Sequence, residues 1–116
     1  MRHRNTTKTL KRKKSAREAL LRDLATSVVV YDRIKTTKVK AKEAQKVVER
    51  LVTIAKKGDL ASRRRLIAFF STKQPVAKLM DVLGPKYKDR NGGYTRITKL
   101  GTRQGDGAEV VQIEFV

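Results

Sequence analysis

The chain has 116 residues, of which 29 are Lys or Arg and 11 are Asp or Glu, so its formal net charge is +18 with the single His neutral. This length supports one folded domain with a tail and no second core. The absence of Cys excludes disulfides, thiolate zinc sites, iron–sulfur clusters and cysteine nucleophiles. No apolar run approaches the ~20 residues of a membrane span. Because a surface with this charge repels itself, we expect a polyanionic partner.

The basic N-terminus resembles the start of a signal peptide, but its first apolar stretch is interrupted by Arg22 and Asp23. We therefore expect no secretory signal and a cytoplasmic location. The segment 1–14 holds seven basic residues and no acid. Its low apolar content predicts an arm that is disordered when free and binds RNA, ahead of a globular domain at 15–116. A solvated tail is the plainer alternative, but uninterrupted cations favour a segment laid along phosphates. The candidate RNA-binding residues in the arm include Lys8, Lys11, Arg12, Lys13 and Lys14.

The apolar residues after the arm recur at helical spacing and predict two long helices. A capping box of Ser15 and Glu18 begins the first, which runs from about 15 to 31. The second runs from about 38 to 57 and ends before Gly58. Lysines crowd the first turns of the second helix, where cations oppose the helix dipole, so an anion supplied from outside is expected there. The candidate ligands at this helix start are Lys38 and Lys40.

Two shorter helices are predicted next. Asp59 caps the third, from about 60 to 70, and the fourth begins at Pro75 and is stopped by Gly84-Pro85. Three consecutive arginines in the third helix are separated by about 100° steps and span about 200° of its circumference, so they cannot all face one way. This leaves one or two of them free to bind phosphate. The candidates are Arg63 and Arg64.

The pattern then changes to alternation, which predicts strands. Residues 94–100 and 109–116 alternate, and a polar, glycine-rich loop joins them as a hairpin. Residues 33–36 are short and β-prone, with Ile34 directed toward the sheet. We therefore expect an α+β fold with about four helices packed on a small sheet of about three strands.

The residues offer little support for catalysis. The single His lies in the arm, the acids are scattered beside Lys and Arg as surface pairs, and no cluster has metal-ligand spacing. We expect no enzyme activity, no cofactor, no metal and no small-molecule substrate. Dispersed cations favour nucleic-acid binding, and RNA more than duplex DNA, because a disordered arm can enter the crevices of an RNA fold. An architectural DNA- or RNA-binding protein is the alternative. Tyr87 and Tyr94 either stack on bases or pack in the core.

Several stretches resemble the bacterial large-subunit ribosomal protein seventeen family. The most specific are IKTTKVKAKE at 34–43 and GGYTRI at 92–97, and weaker matches include MRHR at 1–4 and LGP at 83–85. They occur in the family's order and spacing across essentially the whole chain. Residues 57–75 are less typical of the family.

The resemblance implies an α+β domain with a structural role, bound to large-subunit ribosomal RNA near the peptide exit region. It also implies neighbouring large-subunit ribosomal proteins as partners, a location in the cytoplasmic ribosome and no catalysis or cofactor; we expect no homo-oligomer. The family's motifs are matched at three places: the N-terminal motif, the junction of the first strand with the second helix, and the start of the hairpin. The RNA contacts implied by this match are Arg2, His3, Arg4, Lys35, Thr36, Thr37, Arg90, Tyr94 and Arg96. Arg103 in the hairpin loop is a further candidate.

Overall fold

The computed structural model describes Leu10 and residues 12–116. The predictions made for residues 1–9 and for Lys11, including the N-terminal motif, lie outside the described residues. Within the described part, four helices pack on one three-stranded antiparallel sheet. The predicted α+β fold is confirmed.

The helices and strands follow the predicted order. The bounds of the first three helices and of the strands are α1 Lys14–Tyr31, β1 Arg33–Thr37, α2 Lys38–Lys56, α3 Leu60–Phe69, β2 Thr95–Thr102 and β3 Glu109–Phe115. The fourth helix, α4, has three consecutive parts: an α-helical stretch Gln74–Lys78, a π-helical turn Leu79–Leu83 and an α-helical turn Gly84–Lys86.

One predicted cap is confirmed and another is wrong. The carboxylate of Asp59 accepts a hydrogen bond from the backbone N–H of Ser62 at 2.8 Å, which caps α3. Hydrogen bonding with Ser62, through its side chain first and then its backbone, lowers the pKa of Asp59. By contrast, α1 begins one residue before Ser15, with Lys13 at the N-cap position and no side-chain cap. The capping box fails because Ser15 already lies inside the helix, so its hydroxyl is not at the position that faces the free N–H groups.

The predicted stop at Gly84-Pro85 is also wrong, because α4 continues through both residues to Lys86. In a regular α-helix, the ring of Pro85 would clash with the carbonyl four residues earlier, and its missing N–H would leave that carbonyl unpaired. The π-helical turn changes the spacing just before Pro85, where the N–H of Gly84 bonds to the carbonyl of Leu79 five residues back. This wider turn accommodates the proline within the helix.

Gly84 is required for the close packing of α4 on α2. A Cβ at this position would lie 2.9 Å from the backbone oxygen of Ala55 and 3.0 Å from that of Leu79. Since Gly84 has the ordinary helical φ of −56°, alanine would be favoured there if space allowed. Backbone atoms cannot move aside as a flexible side chain can, so this contact should make alanine at position 84 destabilising.

We expect Gly84→Ala to lower the free energy of unfolding by about 1–3 kcal/mol, as other overpacked sites do. Urea unfolding followed by circular dichroism measures this change. Lys86→Ala, at an exposed position in the same turn, is the control and should change stability by less than about 0.5 kcal/mol. A Gly84→Ala variant as stable as the wild type would show that α4 does not press on α2.

The sheet has the strand order β1-β3-β2, so β3 is central. Ile34, Ile113 and Ile97 are aligned across the three strands, and they face the helices with Val111. Val111 and Ile113 are fully buried against a largely aliphatic core that includes Val48 and Val52 of α2. Successive residues of a strand point to opposite faces, so the intervening positions form a second face that is directed away from the core.

Among the residues that the structure describes, no helix combines the length and the apolar character needed to cross a membrane.

Candidate nucleic-acid interface

Most cationic side chains in the described residues have no carboxylate within ion-pair distance. The ion pairs found there engage Lys38, Lys46, Lys78, Arg96, Lys99 and Arg103. The chain has only 11 acids against 29 basic residues, so such pairing cannot neutralise the surface. Most of the remaining cations are exposed, and they lie on several faces, which is the arrangement that binds a polyanion.

The outer face of the sheet presents one group of these cations. Arg33 and Arg96 lie on either side of Glu114 in the strand register, and Arg96 pairs with that carboxylate at 3.0 Å. Lys35 is exposed on the same face, and Gln112 donates to Glu114 at 3.3 Å. One carboxylate between two arginines leaves this flat surface positive.

The two threonines predicted beside Lys35 are less accessible. Thr36 and Thr37 are half-buried, and Thr36 is aligned with the buried Val111 on the core side of the sheet. Thr37 occupies the N-cap position of α2, but its side chain makes no capping hydrogen bond. The structure therefore places Thr36 with the core and Lys35 with the solvent.

The start of α2 has its own partial counter-charge. Lys38 lies 3.6 Å from Glu109, which also pairs with Lys99 at 3.4 Å. Although burial acts to raise the pKa of Glu109, the two lysines hold it below its usual value. Lys40 is half-exposed and has no ion pair with any described acid. The predicted external anion at this helix start is thus partly replaced by Glu109.

The arginine triplet of α3 is fully on the surface. Arg63, Arg64 and Arg65 are all exposed, while Ser62 and Leu66 carry the buried side of the helix. None of the three arginines pairs with an acid among the described residues. At the start of α1, Arg12, Lys13 and Lys14 are exposed as well, and the guanidinium of Arg12 donates to the carbonyl of Leu10 at 3.0 Å.

The segment before β2 is fixed to α2 by Glu49. Its carboxylate accepts hydrogen bonds from the backbone N–H of Gly93 at 3.2 Å, from the N–H of Thr95 at 3.2 Å and from the Thr95 hydroxyl at 2.9 Å. The sequence pattern predicts surface ion pairs for the acids that lie beside Lys and Arg, and Glu49, which precedes Arg50, is one of these acids. Its partners lie more than forty residues away in sequence, so helical spacing carried no signal for this role.

Lys56, two turns further along α2, provides a second attachment. Its ammonium donates to the carbonyl of Arg90 and, at 3.0 Å, to the hydroxyl of Tyr94. The hydrogen bond from Lys56, followed by that from the Thr53 hydroxyl at 3.5 Å, holds the pKa of the Tyr94 hydroxyl below its usual value. Lys56 is therefore a structural cation, whereas the exposed guanidinium of Arg90 is held beside the carbonyl of Gly93 at 3.2 Å.

Both tyrosines of this region pack in the core, which decides between the two roles that the sequence left open for them. Tyr94 is 2% exposed and Tyr87 is 3% exposed. Their ring centroids lie 5.3 Å apart, and the hydroxyl of Tyr87 donates to the carbonyl of Val116 at 2.7 Å. Rings covered by this chain have no free face on which a base could stack.

Arg103 in the hairpin loop is paired locally. Its guanidinium donates to both carboxylate oxygens of Asp106, and the backbone N–H of Ala108 donates to the same carboxylate. These contacts, the Arg103 hydrogen bond above all, lower the pKa of Asp106 to about 2. The charge of Arg103 is thus largely compensated within the loop. Across the described residues, no group of three or more His, Asp or Glu side chains is placed to hold a metal ion.

Comparison with known proteins identifies the family. The family model described as Ribosomal protein L17 matches residues 20–116. A large ribosomal subunit protein bL17 from Acidobacterium capsulatum is 50% identical and covers 100% of this chain and 72% of the relative. Proteins of the same name from Exiguobacterium sp. and Clostridium perfringens are 51% and 49% identical, covering 92% and 86% of this chain and 96% and 88% of those relatives. The chain belongs to the ribosomal protein L17 family, and it is a ribosomal protein rather than an enzyme.

Proposed function

We propose that this chain is a structural constituent of the large ribosomal subunit that binds large-subunit ribosomal RNA near the peptide exit region. It stabilises the RNA fold by neutralising phosphates that would otherwise repel one another. The names of its relatives support the subunit, and the exit region is the position that the family resemblance implies. Neighbouring large-subunit proteins are its further partners, in the cytoplasm.

The observation that carries this proposal is the excess of exposed cations without carboxylate partners. They occur on the outer face of the sheet, along α3 and at the start of α1. A protein that reads duplex DNA by sequence concentrates its contacts in one recognition helix or ribbon. Cations distributed over several faces suit a folded RNA, in which backbone segments approach from several directions.

The arm and the globular part have different roles in this proposal. The globular domain docks on folded RNA, and the arm threads between RNA segments. Lys14, predicted as the last residue of the arm, is instead the first residue of α1. Lys13 marks the junction, because its carbonyl accepts the hydrogen bond from the N–H of Arg17 that begins α1. A deletion that keeps Lys13 therefore leaves the helix start intact.

Deletion of residues 1–12 should weaken RNA binding without destabilising the remaining protein. The deleted segment contains five Lys and Arg residues. If each contacts a phosphate, the slope of log K against log salt becomes shallower by about 4–5. The melting temperature should change by less than about 3 °C, as for surface changes. Filter binding and thermal denaturation measure the two effects, and a large drop in melting temperature would show that the arm belongs to the core.

Competition at matched salt tests the proposal against an architectural DNA-binding protein. The full chain is bound to labelled large-subunit ribosomal RNA, and unlabelled ribosomal RNA or duplex DNA is added as competitor at equal phosphate concentration. We expect the ribosomal RNA to displace the label at far lower concentration. Equal displacement by duplex DNA would favour the alternative function outside the ribosome.

A further inference from the structure

A cavity of about 420 Å³ lies between α3 and the start of α4. Two cations, Arg63 of α3 and Lys73 just before α4, lie at its edge, and both are exposed. Ile67, Val76 and Ala77 form the remaining wall. The cavity therefore combines positive charge with an apolar floor.

The floor exposes apolar surface that this chain does not cover. Ile67 is 54% exposed although it is a large aliphatic residue, whereas Val76, which also lines the cavity, is only 3% exposed. A scattered exposed aliphatic side chain is ordinary, but one that lines a cavity between two cations is a candidate ligand contact. The ligand that fits has an apolar surface as well as negative charge.

The charge around the cavity is uncompensated. Residues 60–78 contain no Asp or Glu. Lys78 is the cation of this stretch that pairs with an acid, Asp32, at 2.6 Å, and it also donates to the carbonyl of Val30. Arg63 and Lys73 pair with no acid among the described residues. A ligand that supplies its own anion is thus electrostatically complementary to this site.

We propose that this cavity binds one unstacked nucleotide of single-stranded RNA. The base lies against the exposed side chain of Ile67, and the adjoining phosphate is bound by Arg63 and Lys73. Every nucleotide carries a flat base next to a phosphate, which matches the two parts of the cavity, and unstacked bases are what proteins read in RNA loops. The inference rests on the proposed RNA-binding function and adds a base-dependent site to it.

The experiment separates the contribution of the RNA base to binding from that of the sugar–phosphate backbone. Fluorescence anisotropy measures binding of the full chain to a labelled oligouridylate and to an abasic oligomer with the same length and the same sugar–phosphate backbone. We expect Ile67→Ser to weaken binding of the oligouridylate by about 10-fold and to leave the abasic oligomer unchanged. Arg63→Gln should weaken both, because both carry the phosphate. Leu60→Ser is the control: Leu60 is 61% exposed on the same helix but does not line the cavity.

A second measurement uses the wild-type chain, so that it does not depend on the folding of a variant. Ultraviolet cross-linking of an oligomer containing 4-thiouridine should place its major adduct between residues 63 and 77. An adduct elsewhere overturns the proposal. An Ile67→Ser variant that binds both oligomers like the wild type also overturns it, and the cavity would then fit an acidic protein segment instead. Either result leaves the proposed function standing, because phosphate binding by the other faces does not require Ile67.

Discussion

Raising the salt concentration from 50 to 200 mM should weaken binding of this chain to large-subunit ribosomal RNA by about 10³- to 10⁵-fold, if about 6–10 phosphates are contacted. The reason is that each phosphate neutralised by a protein cation releases a condensed counterion, and added salt opposes that release. The exposed cations without carboxylate partners are numerous enough to make such a number of contacts. A filter-binding titration at several salt concentrations gives the slope.

Paired variants show whether the unpaired cations produce that slope. The double variant Arg63→Gln and Arg64→Gln removes two exposed cations of α3 and should make the slope shallower by about 2. Arg103→Gln removes a cation that Asp106 already compensates, so it should change the slope by less. A wild-type slope near zero, or an equal response to all three substitutions, would contradict binding by unpaired surface cations.

Loss of the Glu49 carboxylate should lower the free energy of unfolding by more than substitutions at surface-accessible positions usually do. Glu49→Ala removes the acceptor of three hydrogen bonds. Thr95 is 7% exposed, so water cannot easily replace the lost acceptor for its N–H and hydroxyl. We expect the free energy of unfolding to fall by about 2–3 kcal/mol, since a buried donor without a partner bears its desolvation penalty. Urea denaturation should show a lower midpoint with an unchanged slope.

The same variant links the stability of this segment to RNA binding. Glu49 holds the segment that carries Arg90 and precedes Arg96, so Glu49→Ala should also weaken RNA binding although it removes a negative charge. Glu18→Ala, which removes an exposed carboxylate from α1, is the control and should change stability by less than about 0.5 kcal/mol. Tighter RNA binding by both variants would mean that net charge alone matters and that the Glu49 attachment does not position the arginines.

The sequence predicted those elements whose signals are local. The order of four helices and three strands followed from hydrophobic period, because each element buries one face in the same core. Asp59 identified the start of α3 because a capping side chain acts on an N–H group only three residues away. Gly58, with a φ of +67°, follows the end of α2, as expected for a residue that adopts the left-handed region without steric cost.

Two predicted helix boundaries, the end of α4 and the start of α1, were wrong because tertiary packing or an unusual turn overrode the local signal. The Gly84-Pro85 pair is normally a helix stop, but the π-helical turn before it let α4 continue, and Gly84 was instead needed for contact with Ala55. Ser15 had the spacing of a capping box, yet the helix started before it. In both cases the residue type correctly indicated a special position in or near a helix, but the role predicted for it was wrong.

The site was predictable in composition but not in arrangement. The excess of cations is visible in the sequence, whereas their long-range pairing is not: Lys38 meets Glu109 only once the hairpin packs beside the start of α2. Burial likewise decided between two roles for Tyr94, which is covered by its own chain and bonded to Lys56. Long-range contacts of this kind have no sequence period and require the folded structure.

The most direct test of the central claim, that the cationic surface is neutralised by large-subunit ribosomal RNA, is the sedimentation of bacterial extract containing this chain. In low-magnesium buffer, where ribosomes separate into subunits, the protein should sediment with the large subunit, and in high-magnesium buffer with the whole ribosome. Washing with high salt should release it. Sedimentation with the free-protein fraction in both buffers would contradict the account.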